Sequence, residues 1–290
     1  MTVIEHAYAK INLFLDVTGR RDDGFHDILS VMHSVSLCDI ITLSYTNAEN
    51  VSISLSANVN EIPTDDSNII VRVAREYLSY FDVKAKIDIH LDKQIPIGAG
   101  LGGGSSDGAA TLRALNRIFG LATEEQLFEI GARVGSDIPF CIVGGLCLCS
   151  GRGEKIQRMN SAYYGNFVIA IGEGRISTPK AYGALDVKYS NFVDSSCSDV
   201  RKKVINLTDN YQGSITPYNI FEEVTDIDDI AKIKNIMTKN KAEHTLMSGS
   251  GPSVFGKFLQ ESDAYDAHKA LVDAGYTAFV CHSVYPEEDA

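Results

Sequence analysis

The sequence predicts an α+β chain in two lobes, residues 1–155 and 156–290. Three observations predict it. Strand-period and helix-period segments are mixed without the strict βαβ alternation of a parallel sheet. Two glycine-rich loops, Gly98–Gly104 and Ser248–Gly251, lie far apart in the chain. The pattern also changes around Arg152-Gly-Glu154, and 290 residues suit two ordinary domains or one large one.

Residues 3–17 read as two strands broken near Ala9-Lys10, with Ile11, Leu13, Leu15 and Val17 alternating with Asn12, Phe14 and Asp16. Thr18 to Gly24 is turn-like, His26 to Leu43 is strand-rich, and Val51, Ile53 and Leu55 mark another strand. Ser67 is placed to cap a helix carrying Ile70, Val73, Ala74, Tyr77, Leu78 and Phe81 at helical spacing. Ile87, Ile89 and Leu91 form the strand that runs up to the first glycine loop, and a helix over 106–119 follows the loop.

Thr123-Glu-Glu-Gln126 is a capping box opening a helix that ends near Gly135. A strand is expected from Cys141 to Ser150, with Gly144-Gly145 inside it, and an apolar strand over 167–171. Thr178 and Pro179 start a helix as cap and first residue. Helices are expected at 195–207, 226–239 and 262–274, and strands at 253–259 and 277–284. The polar run 184–218 carries the weakest pattern.

Hydrophobic residues make up 44%, enough for a sizeable core, and charged residues 22%, typical of a soluble globule. The net charge of −12 leaves no electrostatic footprint for nucleic acid or an anionic membrane. Arg201-Lys202-Lys203 is too short a cluster to change that. The six cysteines show no CxxC or zinc spacing, and Cys147-x-Cys149 reads as one buried strand face. Thiols of this kind fit a reducing cytoplasm, the N-terminal residues show no signal-peptide pattern, and no apolar run is long enough to span a membrane.

The first glycine loop is the most informative stretch. Pro96-Ile97-Gly98-Ala99-Gly100-Leu101-Gly102-Gly103-Gly104-Ser105-Ser106 contains five glycines and leads into a helix. Glycine is costly to order, so such a cluster implies a backbone that approaches something closely. A glycine-rich loop at a helix start presents N–H groups and a positive dipole end, which makes an anion site with phosphate as the usual anion. Gly98-x-Gly100-x-x-Gly103 meets the dinucleotide pattern, but Pro96 separates it from the preceding strand. The Gly-Lys-Ser/Thr ending of a Walker A loop is absent.

Three patches then need one explanation: Ala9-Lys10-Ile11-Asn12-Leu13 with Gly24-Phe25-His26, the loop 96–106, and Met247-Ser248-Gly249-Ser250-Gly251-Pro252. Together with Gly135-Ser-Asp137-Ile-Pro139-Phe140 they resemble the small-molecule GHMP kinase superfamily, which includes galactokinase, homoserine kinase and mevalonate kinase. Within it they resemble the 4-diphosphocytidyl-2-C-methyl-D-erythritol kinases, in essentially the whole chain and more thinly after residue 180. The resemblance implies a GHMP-kinase-like fold. An ATP-binding domain would occupy residues 1–155. A C-terminal domain of mixed helix and antiparallel sheet would occupy 156–290.

It also implies roles. ATP and Mg²⁺ would be the cofactors, with the loop 96–106 cradling the triphosphate and Ser105 and Ser106 reaching phosphate oxygens or Mg²⁺. No protein-held metal cluster is expected. Asn68 and Lys93 would lie near adenine. Asp137 would be the general base toward the substrate hydroxyl, with Lys10 keeping it ionised. Asn12 would bond near the reacting hydroxyl. Phe25 and Tyr182 would sandwich a cytosine whose polar edge His26 reads, with Phe25 standing where the family usually has Tyr. Ser248, Gly249, Ser250 and Gly251 would close on the substrate. Asp107 would only favour the helix dipole, Gly108 in place of alanine would loosen the helix start, and Asn219 to Glu222 would be structural. The partner implied is a small molecule carrying a cytidine diphosphate.

Three other readings stay open on sequence alone: a sister kinase for another alcohol, a ligand sensor on the same scaffold, and a dinucleotide oxidoreductase. Lys10 and Asp137 argue against the sensor, and Pro96 argues against the oxidoreductase.

Overall fold

The computed structural model describes residues 1–159, 163–174, 177–189 and 215–285. The helix expected at 195–207, Cys197 and Arg201-Lys202-Lys203 lie outside these. The described residues form two compact units that interleave in sequence. One comprises Met1–Ala9, Leu37–Ile97 and Gly102–Gly144; the other comprises Lys10–Ser36, Gly98–Leu101 and Gly145–Ala290.

Two long strands, β1 (Thr2–Arg20) and β2 (His26–Asn47), contribute residues to both units. No break falls at Ala9-Lys10. The strand runs straight through because residues from Ala9 to Asp16 are buried on both faces, which turns the expected half-buried alternation into a core strand.

In the first unit, β4 (Ala85–Asp92) pairs antiparallel with the end of β2, Ile40 opposite Asp92 through Asn47 opposite Ala85. β3 (Ser52–Ala57) pairs parallel with β4. Helices α1 (Ile69–Tyr80), α2 (Gly103–Phe119), α3 (Glu124–Val134) and α4 (Ile138–Val143) complete the unit, with α1 against α2 and α3, and α4 against the same two. Helix α1 is capped by Asn68, whose side chain accepts from Ile70 N at 2.8 Å; Ser67 donates to Asp65. The capping box at Thr123 and Gln126 forms with both of its bonds.

Two boundaries differ from expectation. Helix α2 begins at Gly103, because Gly102 takes φ 70° and acts as cap without a side chain. The residues after Asp137 form helix α4 rather than strand. Pro139 sits in its first turn, where a missing N–H costs nothing, and Gly144 and Gly145 at φ 66° and 67° end it. Gly108 does more than loosen a helix: a Cβ there would lie 2.8 Å from Ile69 Cγ2, so its absence lets α1 approach α2.

In the second unit, the start of β2 pairs antiparallel with β5 (Leu146–Gly151), which pairs with β6 (Lys155–Arg158). Cys147 and Cys149 are fully buried there. The middle of β1 pairs parallel with the short β8 (Tyr218–Asn219). A second sheet is antiparallel, in the order β11 (Thr277–His282), β7 (Asn166–Ile171), β10 (Ser253–Phe258), β9 (His244–Met247). Helices α6 (Asp228–Lys239) and α7 (Glu261–Asp273) pack on this sheet and on each other. Helix α5 (Thr178–Lys188) starts one residue earlier than expected, with Ser177 as cap. The β9, β6 and β8 pairings were not expected, since each is short and lacks its own alternation.

Candidate active site

In the second unit a buried polar chain starts at Lys10, only 5% exposed on β1. Its Nζ donates to Asn12 Oδ1 at 2.7 Å, and Asn12 Nδ2 donates to Ser30 Oγ at 2.9 Å. Ser30 in turn donates to the Phe14 carbonyl at 2.7 Å. Asn12 Oδ1 also accepts the backbone N–H of Gly249 at 3.0 Å. An ammonium is tolerated in such a site only with hydrogen-bond partners of this kind.

The two glycine loops meet in this unit. Ser248 Oγ donates to the Gly100 carbonyl at 3.1 Å, and the backbone N–H of Ser253 reaches Ala99 O at 3.3 Å. Lys10 N donates to Leu101 O at 3.0 Å. Gly100 has φ +79°, and a Cβ there would lie 2.4 Å from the Ser248 carbonyl oxygen, so only glycine permits this approach. Asn219 holds the second loop from another side, donating to the carbonyls of Met247 at 2.7 Å and Gly249 at 2.8 Å. Glu222 accepts Met247 N at 2.7 Å. Ser250 Oγ and Thr178 Oγ1 lie 3.2 Å apart.

His26 is buried and stacks on Tyr182, with ring centroids 4.7 Å apart and planes at 21°. Its Nε2 is 2.7 Å from Asp186 Oδ1, and Tyr182 meets Phe221 edge-on at 4.9 Å. Phe25 is 53% exposed, with the Arg152 guanidinium carbon 5.1 Å from its ring centroid. Asp186 and Arg152 are thus neighbours of the expected cytosine residues that sequence reading missed. Asp186 sits four residues after Tyr182, one helical turn away, and that spacing was the available signal.

In the first unit, Asp137 is half-buried at the N-terminus of α4 with no side-chain cap bond to it. Ser105 lies in the first turn of α2, where N–H groups have no partner within the helix, and the next residue, Ser106, donates its N–H to the Gly102 carbonyl at 2.9 Å. Ser106 is buried, its Oγ donating to the Tyr8 carbonyl at 2.7 Å and lying 3.4 Å from Cys141 Sγ. Asn68 is engaged at the α1 cap, its Nδ2 donating to Pro63 O at 2.7 Å. Lys93 is held between two buried carboxylates, Asp39 at 2.5 Å and Asp107 at 2.7 Å. Burial drives the Asp107 carboxyl up to about 8 against the attraction of Lys93, with Asp39 adding to the rise. Asp107 is therefore part of a buried polar cluster around Lys93 and not a simple dipole partner.

Pro96, Ile97 and Gly102 to Gly104 belong to the first unit and Gly98 to Leu101 to the second. Gly98, Gly100 and Gly102 all take positive φ, at 69°, 79° and 70°. Within the first unit, the start of α2, with its left-handed glycine cap, suits a phosphate group. Among the described residues no helix is long and apolar enough to cross a membrane.

Comparison with known proteins agrees with this chemistry. The model of the GHMP kinases N terminal domain matches residues 68–145. A 4-diphosphocytidyl-2-C-methyl-D-erythritol kinase of Caldicellulosiruptor saccharolyticus is 41% identical over 280 residues, covering 93% of this chain and 92% of its own. The kinase of that name from Exiguobacterium sibiricum is 40% identical over 290 residues, covering 98% and 97%. Among solved structures, a 4-(cytidine 5'-diphospho)-2C-methyl-D-erythritol kinase is 26% identical, with a TM-score of 0.78 over 97% of this chain and 100% of that one. A homoserine kinase from Cytophaga hutchinsonii, 19% identical with a TM-score of 0.76 over 98% and 95%, shares the fold. The chain is a small-molecule kinase that belongs to the 4-diphosphocytidyl-2-C-methyl-D-erythritol kinase family, within the GHMP kinases.

Proposed function

We propose that the protein transfers the γ-phosphoryl group of ATP to the 2-hydroxyl of 4-diphosphocytidyl-2-C-methyl-D-erythritol, giving the 2-phosphate and ADP in the non-mevalonate route to isoprenoid precursors. The observation that carries this reading is the buried Lys10–Asn12–Gly249 chain with the Gly100–Ser248 contact beside it. Motifs that are widely separated in sequence supply a cation, an amide and two glycine loops to one region of the second unit, which is the equipment that phosphoryl transfer requires.

The roles follow the chemistry of each group. Asp137, at a helix N-terminus, is the base that takes the proton of the attacking hydroxyl. Lys10 offsets charge on the moving phosphoryl group. Loop residues Pro96 to Ser106 bind the triphosphate through backbone N–H groups and the first turn of α2. The Ser105 and Ser106 hydroxyls would be the groups to reach Mg²⁺ brought in with the nucleotide, a hard cation that would neutralise phosphate charge. Asn12 orients the reacting hydroxyl, and the loop Ser248–Gly251 covers the substrate. His26, fixed by Asp186, reads the cytosine edge, with Tyr182 and Phe25 as its aromatic neighbours. We assign residues 1–155 and 156–290 as the two domains of the family, and the cytoplasm as the site of action.

An assay coupling ADP release to NADH oxidation tests the reading. The cytidyl substrate is expected to support turnover, whereas mevalonate and homoserine support little. Turnover with either alcohol but none with the cytidyl substrate would replace this reading with the sister-kinase one.

A further inference from the structure

The buried cluster around Lys93 lies outside the roles assigned above. Strand β4 leaves its ladder with β2 at Asp92, opposite Ile40. The Lys93 N–H goes to Asn58 Oδ1 at 2.8 Å, while those of Gln94 and Ile95 have no strand partner, and leaving such a group unpaired when buried costs about 1–3 kcal/mol. Asp39, fully buried on β2 next to Ile40, supplies that partner. Its Oδ1 accepts Gln94 N at 2.6 Å and Ile95 N at 2.7 Å, while its Oδ2 accepts Lys93 Nζ at 2.5 Å. Lys93 Nζ then reaches across to Asp107 Oδ2 at 2.7 Å, in the first turns of α2. Asp107 Oδ1 is buried with no hydrogen-bond partner among the described residues. Gly103, the first residue of α2, packs against this lysine: a Cβ there would lie 2.9 Å from Nζ and 3.1 Å from Ile95 Cγ2.

The three side chains therefore join the segment that enters the glycine loop, residues 93–95, to the helix that leaves it. We infer that Asp39, Lys93 and Asp107 act together as positioning residues that fix both ends of the phosphate loop, so that Lys93 serves the nucleotide's phosphates through the backbone and does not read its base. This rests on the kinase reading of the loop. It reassigns Lys93, whose ammonium is spent on two carboxylates inside the protein and is 6% exposed. A flexible loop would lose binding through ordering cost and misplacement of its N–H donors, and displacements of about 1 Å at such sites cost up to roughly a hundredfold.

The test is calorimetric titration of Mg-ATP and Mg-GTP into the wild type, Asp39→Asn, Lys93→Met and the double variant, with melting temperatures measured in parallel. Each single variant is expected to weaken both nucleotides about tenfold and to the same extent, and the steady-state KM for the alcohol is expected to stay within about twofold. The double variant is expected to lose about tenfold and not a hundredfold, because the residues act as one device. It also guards against misfolding, since a buried ion pair replaced as a whole is tolerated better than one left half-paired. Lowered melting temperature with unchanged affinities would make the cluster a scaffold only and overturn the inference. Loss of discrimination between ATP and GTP in Lys93→Met alone would overturn it in favour of base reading. If the wild type binds neither nucleotide, the kinase reading fails first and the inference with it.

Discussion

Asp137 and His33 show how little separates a working polar residue from a structural one. Asp137 stands half-buried at the start of α4. If it is the base, Asp137→Asn should retain Mg-ATP affinity within about twofold and lose about 10²- to 10⁴-fold in kcat. A rate near wild type would remove it from that role. His33 is fully buried among Tyr163, Phe167 and Tyr285, and its Nδ1 donates to the Gly145 carbonyl at 3.2 Å. Burial lowers its pKa from 6.5 to about 4, partly opposed by that bond. Below pH 6.5 the unfolded chain takes up a proton that the folded chain refuses until about pH 4. Stability therefore falls as pH drops through this window, by about 3 kcal/mol in all. His33→Phe should flatten that slope, while Gly145 O keeps the Ser34 N–H at 2.9 Å. Urea unfolding at several pH values between these limits measures it, and an unchanged slope would point to other groups.

At the scale of elements, the sequence was readable where local chemistry decides the outcome. Thr123 and Gln126 carry a complete capping box in the sequence, and both bonds form. The helical rhythm of Ile70 to Leu78 matches the buried face of α1. It misled where tertiary contacts decide. Residues 141–143 have strand composition, yet Pro139 and the two positive-φ glycines make them a helix end. The serines at 105 and 106 look like caps, yet Gly102 performs that role from the left-handed region. Lys93 and Asp107 are fourteen residues apart and Asp39 is farther still. No periodicity links them, so their cluster was illegible. The loop-to-loop contact at Gly100 was equally hidden, and it makes a clear prediction. Gly100→Ala places a methyl within 2.4 Å of a backbone oxygen at φ +79°. Part of the Ser248 contact must open, and kcat/KM should fall at least tenfold with only a modest loss of melting temperature, about that of one strained backbone residue at roughly 1–3 kcal/mol. Kinetics and a thermal melt on the same sample check this, and full activity would show that the loops need not touch.

For the whole molecule, the α+β class was legible from mixed periodicities, and the family from three short patches taken together. The interleaving of the two compact units was not. It arises because β1 and β2 are long enough to serve both, and the passage at Ala9 and Lys10 that looked like a strand break is where β1 moves from one unit to the other. The candidate site was legible in its residue types, since lysine, asparagine and glycine in apolar surroundings are expensive unless used. Their partners Ser30, Asp186 and Asn219 needed the fold. An acidic chain of net charge −12 that handles polyanions must do so with local, pre-arranged donors, whose proposed role is to direct phosphate to one hydroxyl. The most direct measurement is phosphorus NMR of the product formed from Mg-ATP and 4-diphosphocytidyl-2-C-methyl-D-erythritol. One new phosphate monoester on the 2-oxygen is expected, with the cytidine diphosphate intact. No new monoester, or one on a different oxygen, would contradict it.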